Sequence, residues 1–172
     1  KRAYYYFRIS TSIMDIYSQT TSNTSGNFNW NANTDNYAWS FVPTVTWLPN
    51  QLTLEVSSIT GTPICDFYIK SDKTFTSTTY ASATWVTLSS GSNVISMTWL
   101  LTITVGITYW IYMSRTTNTS NVPSIAYDTG KTNYPVYRST SSWVDPTTLW
   151  FTNDIRMTVS WTASFVPRIL FF

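Results

Sequence analysis

Residues 51–56 read Gln51-Leu52-Thr53-Leu54-Glu55-Val56, placing Leu52, Leu54 and Val56 on one side of an extended chain and Gln51, Thr53 and Glu55 on the other. Successive side chains of a pleated strand point to opposite faces, so this alternation predicts a strand with one buried and one wet face. The pattern recurs outward from this segment. Cys65, Phe67 and Ile69 alternate with Asp66, Tyr68 and Lys70, and Ile155, Met157, Val159 and Trp161 alternate with Arg156, Thr158, Ser160 and Thr162. Val94–Val105 puts Ile95, Met97, Trp99, Leu101, Ile103 and Val105 in one phase; that run exceeds a typical strand and predicts a bent strand or two in series. Tyr4–Ser10, Phe41–Leu48, Thr84–Leu88, Thr108–Arg115 and Tyr134–Ser139 are further predicted strands. Pro43 would put its strand at an edge or a start, since it has no N–H for a ladder.

Turn residues fall between the runs: Leu48-Pro49-Asn50, Thr60-Gly61-Thr62-Pro63, Ser89-Ser90-Gly91-Ser92-Asn93 and Asp128-Thr129-Gly130-Lys131. They supply the residues that preset φ or tolerate positive φ. Helical periodicity is weak, with one turn conceivable over Ile13–Tyr17. Gln19–Asn36 and Thr116–Asn121 read as polar loops. About nine or ten short strands at this spacing predict an all-β chain: a single antiparallel β-sandwich, jelly-roll-like, spanning 1–172, with extensions at 1–40 and 163–172 used in contacts.

Composition agrees. Of 172 residues, 31 are Thr and 23 are Ser, aromatics reach 17% and charged residues only 10%, against about 25% charged in an ordinary domain. Threonine and aromatic side chains suit pleated surfaces better than helices. The net charge of +2 comes from scattered cations, with Lys1-Arg2 the only adjacent pair, so no basic stripe for nucleic acid is read. Leu100–Met113, the longest apolar-leaning run, is interrupted by Thr102, Thr104, Gly106 and Thr108 and is too short for a helical membrane span. No signal-peptide pattern opens the chain, whose first residue is Lys rather than Met, so it reads as a processed product or an excerpt.

The catalytic repertoire is thin: no His, one Cys and one Glu. Without His the usual Ser and Cys relays lack their base. Cys65, set between Ile64 and Phe67, reads as a small buried hydrophobe. Asp128 and Asp145 are the carboxylates weighed as a hydrolase pair, against the commoner role of loop Asp in turns. The expectation is no enzyme and no cofactor. Asn31, Asn33 and Asp35, continuing from Asn29, are weak candidates for a hard cation. With one anion and no distal Glu they read as turn formers, and no metal is expected. Asn23-Thr24-Ser25 and Asn118-Thr119-Ser120 match the glycosylation sequon, making Asn23 and Asn118 candidate acceptors. In Thr108–Ser114 the inward phase of Tyr109, Ile111 and Met113 sends Trp110 and Tyr112 to the opposite face. With Trp143 they are the candidate glycan-stacking residues, to be exposed if the chain binds sugars.

The set Gly106-Ile107-Thr108-Tyr109-Trp110-Ile111, Tyr134-Pro135, Trp143 and Asp154-Ile155-Arg156-Met157 resembles the C-terminal half of jelly-roll, carbohydrate-binding-module-like domains of viral or phage fibre and spike proteins and of prokaryotic surface proteins. The resemblance covers roughly residues 50–162 and implies a sandwich used for display, attachment or assembly, with no catalytic residue. Met157 stands where an aromatic residue would be expected.

The chain ends Ile169-Leu170-Phe171-Phe172. Burying four such side chains is worth about 1.5–3 kcal/mol each, so a cover is expected. Ile169, Leu170, Phe171 and Phe172, with Tyr4, Tyr5, Tyr6 and Phe7, are therefore the candidate assembly residues. The resulting expectation is a self-associating structural subunit of an extracellular or virion assembly (capsid, spike, fibre or surface filament). The alternative is a glycan-binding or adhesion module.

Overall fold

The computed structural model describes residues 12–19, 25–29, 36–115, 121–128, 134–139, 145–151 and 154–163. These form fourteen strands: β1 (Ser12–Gln19), β2 (Ser25–Asn29), β3 (Asn36–Phe41), β4 (Gln51–Thr60), β5 (Ile64–Lys70), β6 (Thr79–Thr87), β7 (Gly91–Ser96), β8 (Thr98–Trp99), β9 (Tyr109–Arg115), β10 (Val122–Asp128), β11 (Val136–Ser139), β12 (Thr148–Phe151), β13 (Asp154–Ile155) and β14 (Met157–Ala163). Two antiparallel sheets of seven strands pack face to face as a β-sandwich. The first runs β1-β14-β4-β10-β13, with β2 on β10 and β7 on β4; the second runs β12-β11-β3-β9-β5-β6-β8.

The alternation of residues 51–56 positions the core. Leu52, Leu54 and Val56 are fully buried, and Leu52 and Leu54 pair with Val159 and Met157 of β14 on one side and with Ile95 and Asn93 of β7 on the other. Across the interior, Trp39, Phe41, Phe67, Ile69, Ile111 and Met113 of the second sheet close the same cluster. Each large side chain buried there contributes about 1.5–3 kcal/mol. Cys65 lies in the core and is fully buried. Arg156 joins β13 to β14. Its N–H donates to Ala126 O at 3.0 Å and its carbonyl accepts Glu55 N–H at 3.2 Å, so one residue carries the strand from β10 across to β4.

Several expectations are corrected. Ile13–Tyr17 belongs to β1, which pairs with β14 through a bulge between Asp15 and Tyr17, rather than forming a helical turn. Within 1–40, β1 and β3 are integral strands, and Ser25–Asn29 pairs with β10 inside what the sequence presents as one loop. The strand expected over Phe41–Leu48 ends at Phe41; beyond it only Trp47 pairs, in an isolated bridge to Ile103. After β7 the chain leaves the first sheet, so the phase of 94–105 breaks. Ile95, Met97 and Ile103 are buried, but Trp99, expected in the core, is 51% exposed, and Leu101 and Val105 are exposed too.

Candidate functional site

The outer face of the second sheet carries a cross-strand row. Ser82 pairs with Tyr68, Tyr68 with Tyr112, Tyr112 with Ala38, Ala38 with Tyr137, and Tyr137 with Leu149. Residues paired directly across antiparallel strands project to the same side, so the row is one surface. Lys70 and Trp110 form the next pair along β5 and β9. As the sequence predicts, Trp110 and Tyr112 point away from the core.

That face is partly covered. The connection from β5 to β6, residues 71–78, folds over it as a strap closed by Ser71 N–H to Thr78 O at 3.0 Å and by the Ser77 hydroxyl to Thr74 O at 2.7 Å. Lys70 anchors the strap: its ammonium donates to Phe75 O at 2.7 Å, Ser77 O at 3.0 Å and Thr79 Oγ1 at 3.1 Å. Asp145 holds the far side, its Oδ1 accepting Phe75 N–H at 2.6 Å. The Phe75 ring lies 6.0 Å from Tyr112. Tyr112 is therefore only 2% exposed, which corrects its expected role as an open stacking surface; the alternation chose its face correctly, and the strap then buried it. Burial, then Asp145, then Tyr68 raise the Tyr112 phenol well above the ordinary tyrosine range, and burial lowers Lys70, with Asp145 opposing.

What stays accessible is a smaller platform. Trp110, half-buried, meets Tyr137 edge-on at 5.6 Å, and Lys73 Nζ stands 5.6 Å from the Trp110 ring centre and 4.9 Å from that of Tyr137. A cation over two electron-rich faces is favourable, and the group offers a flat aromatic flank with a charged donor beside it. Tyr137, Lys73 and Phe75 were missed because their meeting depends on the strap and on the β11–β3 pairing. Trp143 lies outside the described residues. So do Asn23, Asn118, Asn31, Asn33 and Asp35, as well as Tyr4, Tyr5, Tyr6, Phe7, Ile169, Leu170, Phe171 and Phe172.

The carboxylates sort differently from expectation. Asp128 lies in β10 of the first sheet, buried, with Gln19 Nε2 donating to Oδ2 at 3.4 Å, whereas Asp145 holds the strap on the second sheet. The cross-strand neighbour of Asp128 is Asp154, also buried, whose Oδ1 accepts Tyr134 N–H at 3.2 Å. Among the described residues no group of three His, Cys, Asp or Glu side chains is arranged to hold a metal ion. A shallow cavity of about 130 Å³ on the outer face of the first sheet, lined by Gln19, Thr53, Glu55, Ser92, Arg156, Met157 and Thr158, is smaller than the roughly 300 Å³ at which small-molecule pockets begin.

Two surface features were not legible. Trp85 sits at a bulge of β6 opposite Asp66 with φ of 58°, its N–H on Asp66 Oδ1 at 2.8 Å and its side chain 72% exposed. A left-handed aromatic residue costs about 1–3 kcal/mol and persists only where its surroundings impose it. Second, Trp99, Leu100, Leu101, Val105 and Ile107 are all exposed, and Trp47, paired opposite Ile103, adds to them. Val105 N–H on Thr46 Oγ1 at 2.9 Å and Gly106 N–H on Pro43 O at 3.2 Å tie this segment to residues 43–47. No helix among the described residues is long and apolar enough to cross a membrane. No protein-family model matches the chain, and no curated protein resembles it significantly.

Proposed function

We propose that this chain is a non-enzymatic structural subunit of an extracellular or virion assembly, associating with copies of itself through its sandwich faces and terminal segments. The supporting observation is the band of exposed apolar side chains at Trp47 and residues 99–107, in a chain where only 10% of residues are charged. Exposed apolar side chains grouped in this way, rather than scattered singly, mark interaction sites on soluble proteins. Light scattering and electron microscopy of the purified chain test it: rings, fibres or filaments are expected, and a monomer at every concentration overturns the proposal.

A second reading, glycan binding, draws on the Trp110–Tyr137 flank with Lys73 beside it. Under it, Trp110→Ala weakens binding by about 0.5–1.5 kcal/mol, by analogy with aromatic pairs. A glycan array without hits, or with hits that Trp110→Ala leaves untouched, removes it.

A further inference from the structure

We infer that the free edge of β7 is an interface between copies of this chain, two β7 strands pairing antiparallel about a two-fold axis at Val94; the inference rests on the self-assembly reading above. The edge follows from the ladder. Along a strand, successive residues direct their N–H and C=O to opposite sides. Met97 N–H donates to Asn50 O at 2.8 Å, toward β4, and Glu55 N–H donates to Arg156 O at 3.2 Å, away from β7. Gly91, Asn93 and Ile95 therefore bond to their partners Val56, Leu54 and Leu52, while Ser92, Val94 and Ser96 direct both backbone groups outward. Among the described residues, β4 is the only strand paired with β7, and no other group bonds to those outward N–H and C=O groups.

Edge strands that stay single are guarded by a charge, a proline or a bulge. β1, at the other end of the first sheet, has a bulge between Asp15 and Tyr17. β6, which neighbours β7 in the second sheet, is bulged at Trp85, whose N–H turns onto Asp66. Gly91–Ser96 has no charged residue and no proline, and its register with β4 is unbroken.

The partner is a second copy because this edge is complementary to itself. Turned about Val94, that valine faces its own symmetry mate and Ser92 faces Ser96, so the outward N–H groups of each copy meet the outward carbonyls of the other. Continued into β4 on both sides, the central row reads Thr53, Val94, Val94, Thr53, and the flanking row reads Glu55, Ser92, Ser96, Gln51. No like charges are opposed across the junction. Val94 is 65% exposed, and the pairing takes both valines out of water. Trp99, which follows in β8 and is 51% exposed, lies just beyond the end of the same edge.

Disulfide trapping in the full chain reads the register; native Cys65 is fully buried and stays silent. Across a hydrogen-bonded antiparallel pair the Cα atoms stand about 5.5 Å apart, within the roughly 4.4–6.8 Å that a disulfide spans. Val94→Cys should therefore give a covalent dimer under mild oxidation. Ser92→Cys alone should not, because its own mate lies four residues along, about 13 Å away, whereas Ser92→Cys mixed with Ser96→Cys should. Val94→Lys and Val94→Glu each oppose like charges at the axis, so each alone should raise the concentration for half-dimerisation about tenfold or more. An equimolar mixture of the two should restore dimerisation. Their circular dichroism spectra should match the wild type, since Val94 is not a core residue. Assembly that persists in both charged variants, or trapping equally strong through Ser92→Cys alone, overturns the inference while leaving the self-assembly reading intact. A wild-type chain that is monomeric at every concentration overturns that reading itself.

Discussion

The indole N–H of Trp39 donates to the sulfur of Met157 at 3.0 Å through the middle of the sandwich, joining β3 of the second sheet to β14 of the first. A thioether is a weak acceptor, yet it is the partner the buried indole has. Met157 thus provides the indole's hydrogen-bond acceptor.

Met157→Leu conserves volume, a change that ordinarily costs less than about 1.5 kcal/mol. Here it strands a buried donor, which adds about 1–3 kcal/mol. Met97→Leu, also in the core but without an indole donor, is the control. Urea unfolding should show Met157→Leu clearly the more destabilising; equal losses would mean the N–H···S contact contributes nothing.

Lys70→Met removes the three bonds that anchor the strap and leaves the carbonyls of Phe75 and Ser77 without their ammonium partner. A loss of about 1–3 kcal/mol is expected, localised to residues 71–78, because the core side of β5 is untouched. Limited proteolysis should cut the strap first, and Tyr112 should become accessible to a fluorescence quencher. A uniformly destabilised chain with the strap still protected would contradict this anchoring role.

Burial, followed by Asp154 and then Tyr134, raises Tyr17 above the ordinary tyrosine range, as burial does for Tyr112. A phenol raised in the folded state contributes stability that is fully present below its unfolded value near 10. That stability is lost as pH climbs toward the folded value. Lys70, lowered by burial, acts with the opposite sign and adds stability as pH rises through its lowered value toward about 10.4. Stability should therefore fall steeply only above about pH 10. Tyr17→Phe and Tyr112→Phe should each flatten the fall by up to about 1.4 kcal/mol per pH unit. Urea midpoints between pH 9 and 11.5 check this, and an unchanged slope in both variants would falsify it.

Gly61, between β4 and β5, has φ of +65°, and a Cβ there would collide with the Asn121 side-chain oxygen, which also accepts Thr62 N–H at 3.2 Å. Gly106 has φ of +79° with open space around it. Both Ala substitutions carry the left-handed penalty of about 1 kcal/mol. Gly61→Ala should cost about 1 kcal/mol more, through the displaced Asn121 bond. Thermal unfolding of the two variants distinguishes the terms, and equal shifts would show that Asn121 moves aside freely.

Alternation alone determined most of the framework. Leu52, Leu54, Phe67, Ile69, Ile111, Ile155, Met157 and Val159 are buried in the phase the sequence predicts, and Trp110 and Tyr112 face away from them. Local chemistry suffices for this because a pleated chain has two faces and the apolar one must leave water. What covers a face is not local. Tyr112 is buried only because Lys70 and Asp145 hold a strap above it, and Trp99 is exposed only because the chain leaves the first sheet after Ser96. Asp128 meets Asp154 rather than Asp145 through the β10–β13 register, and Trp85 turns outward at a bulge opposite Asp66. Register, bulges and the paths of connections arise from pairings between residues far apart in the chain. A period-two pattern states which side of a strand is apolar; it does not state which strand, loop or neighbouring molecule will lie against it.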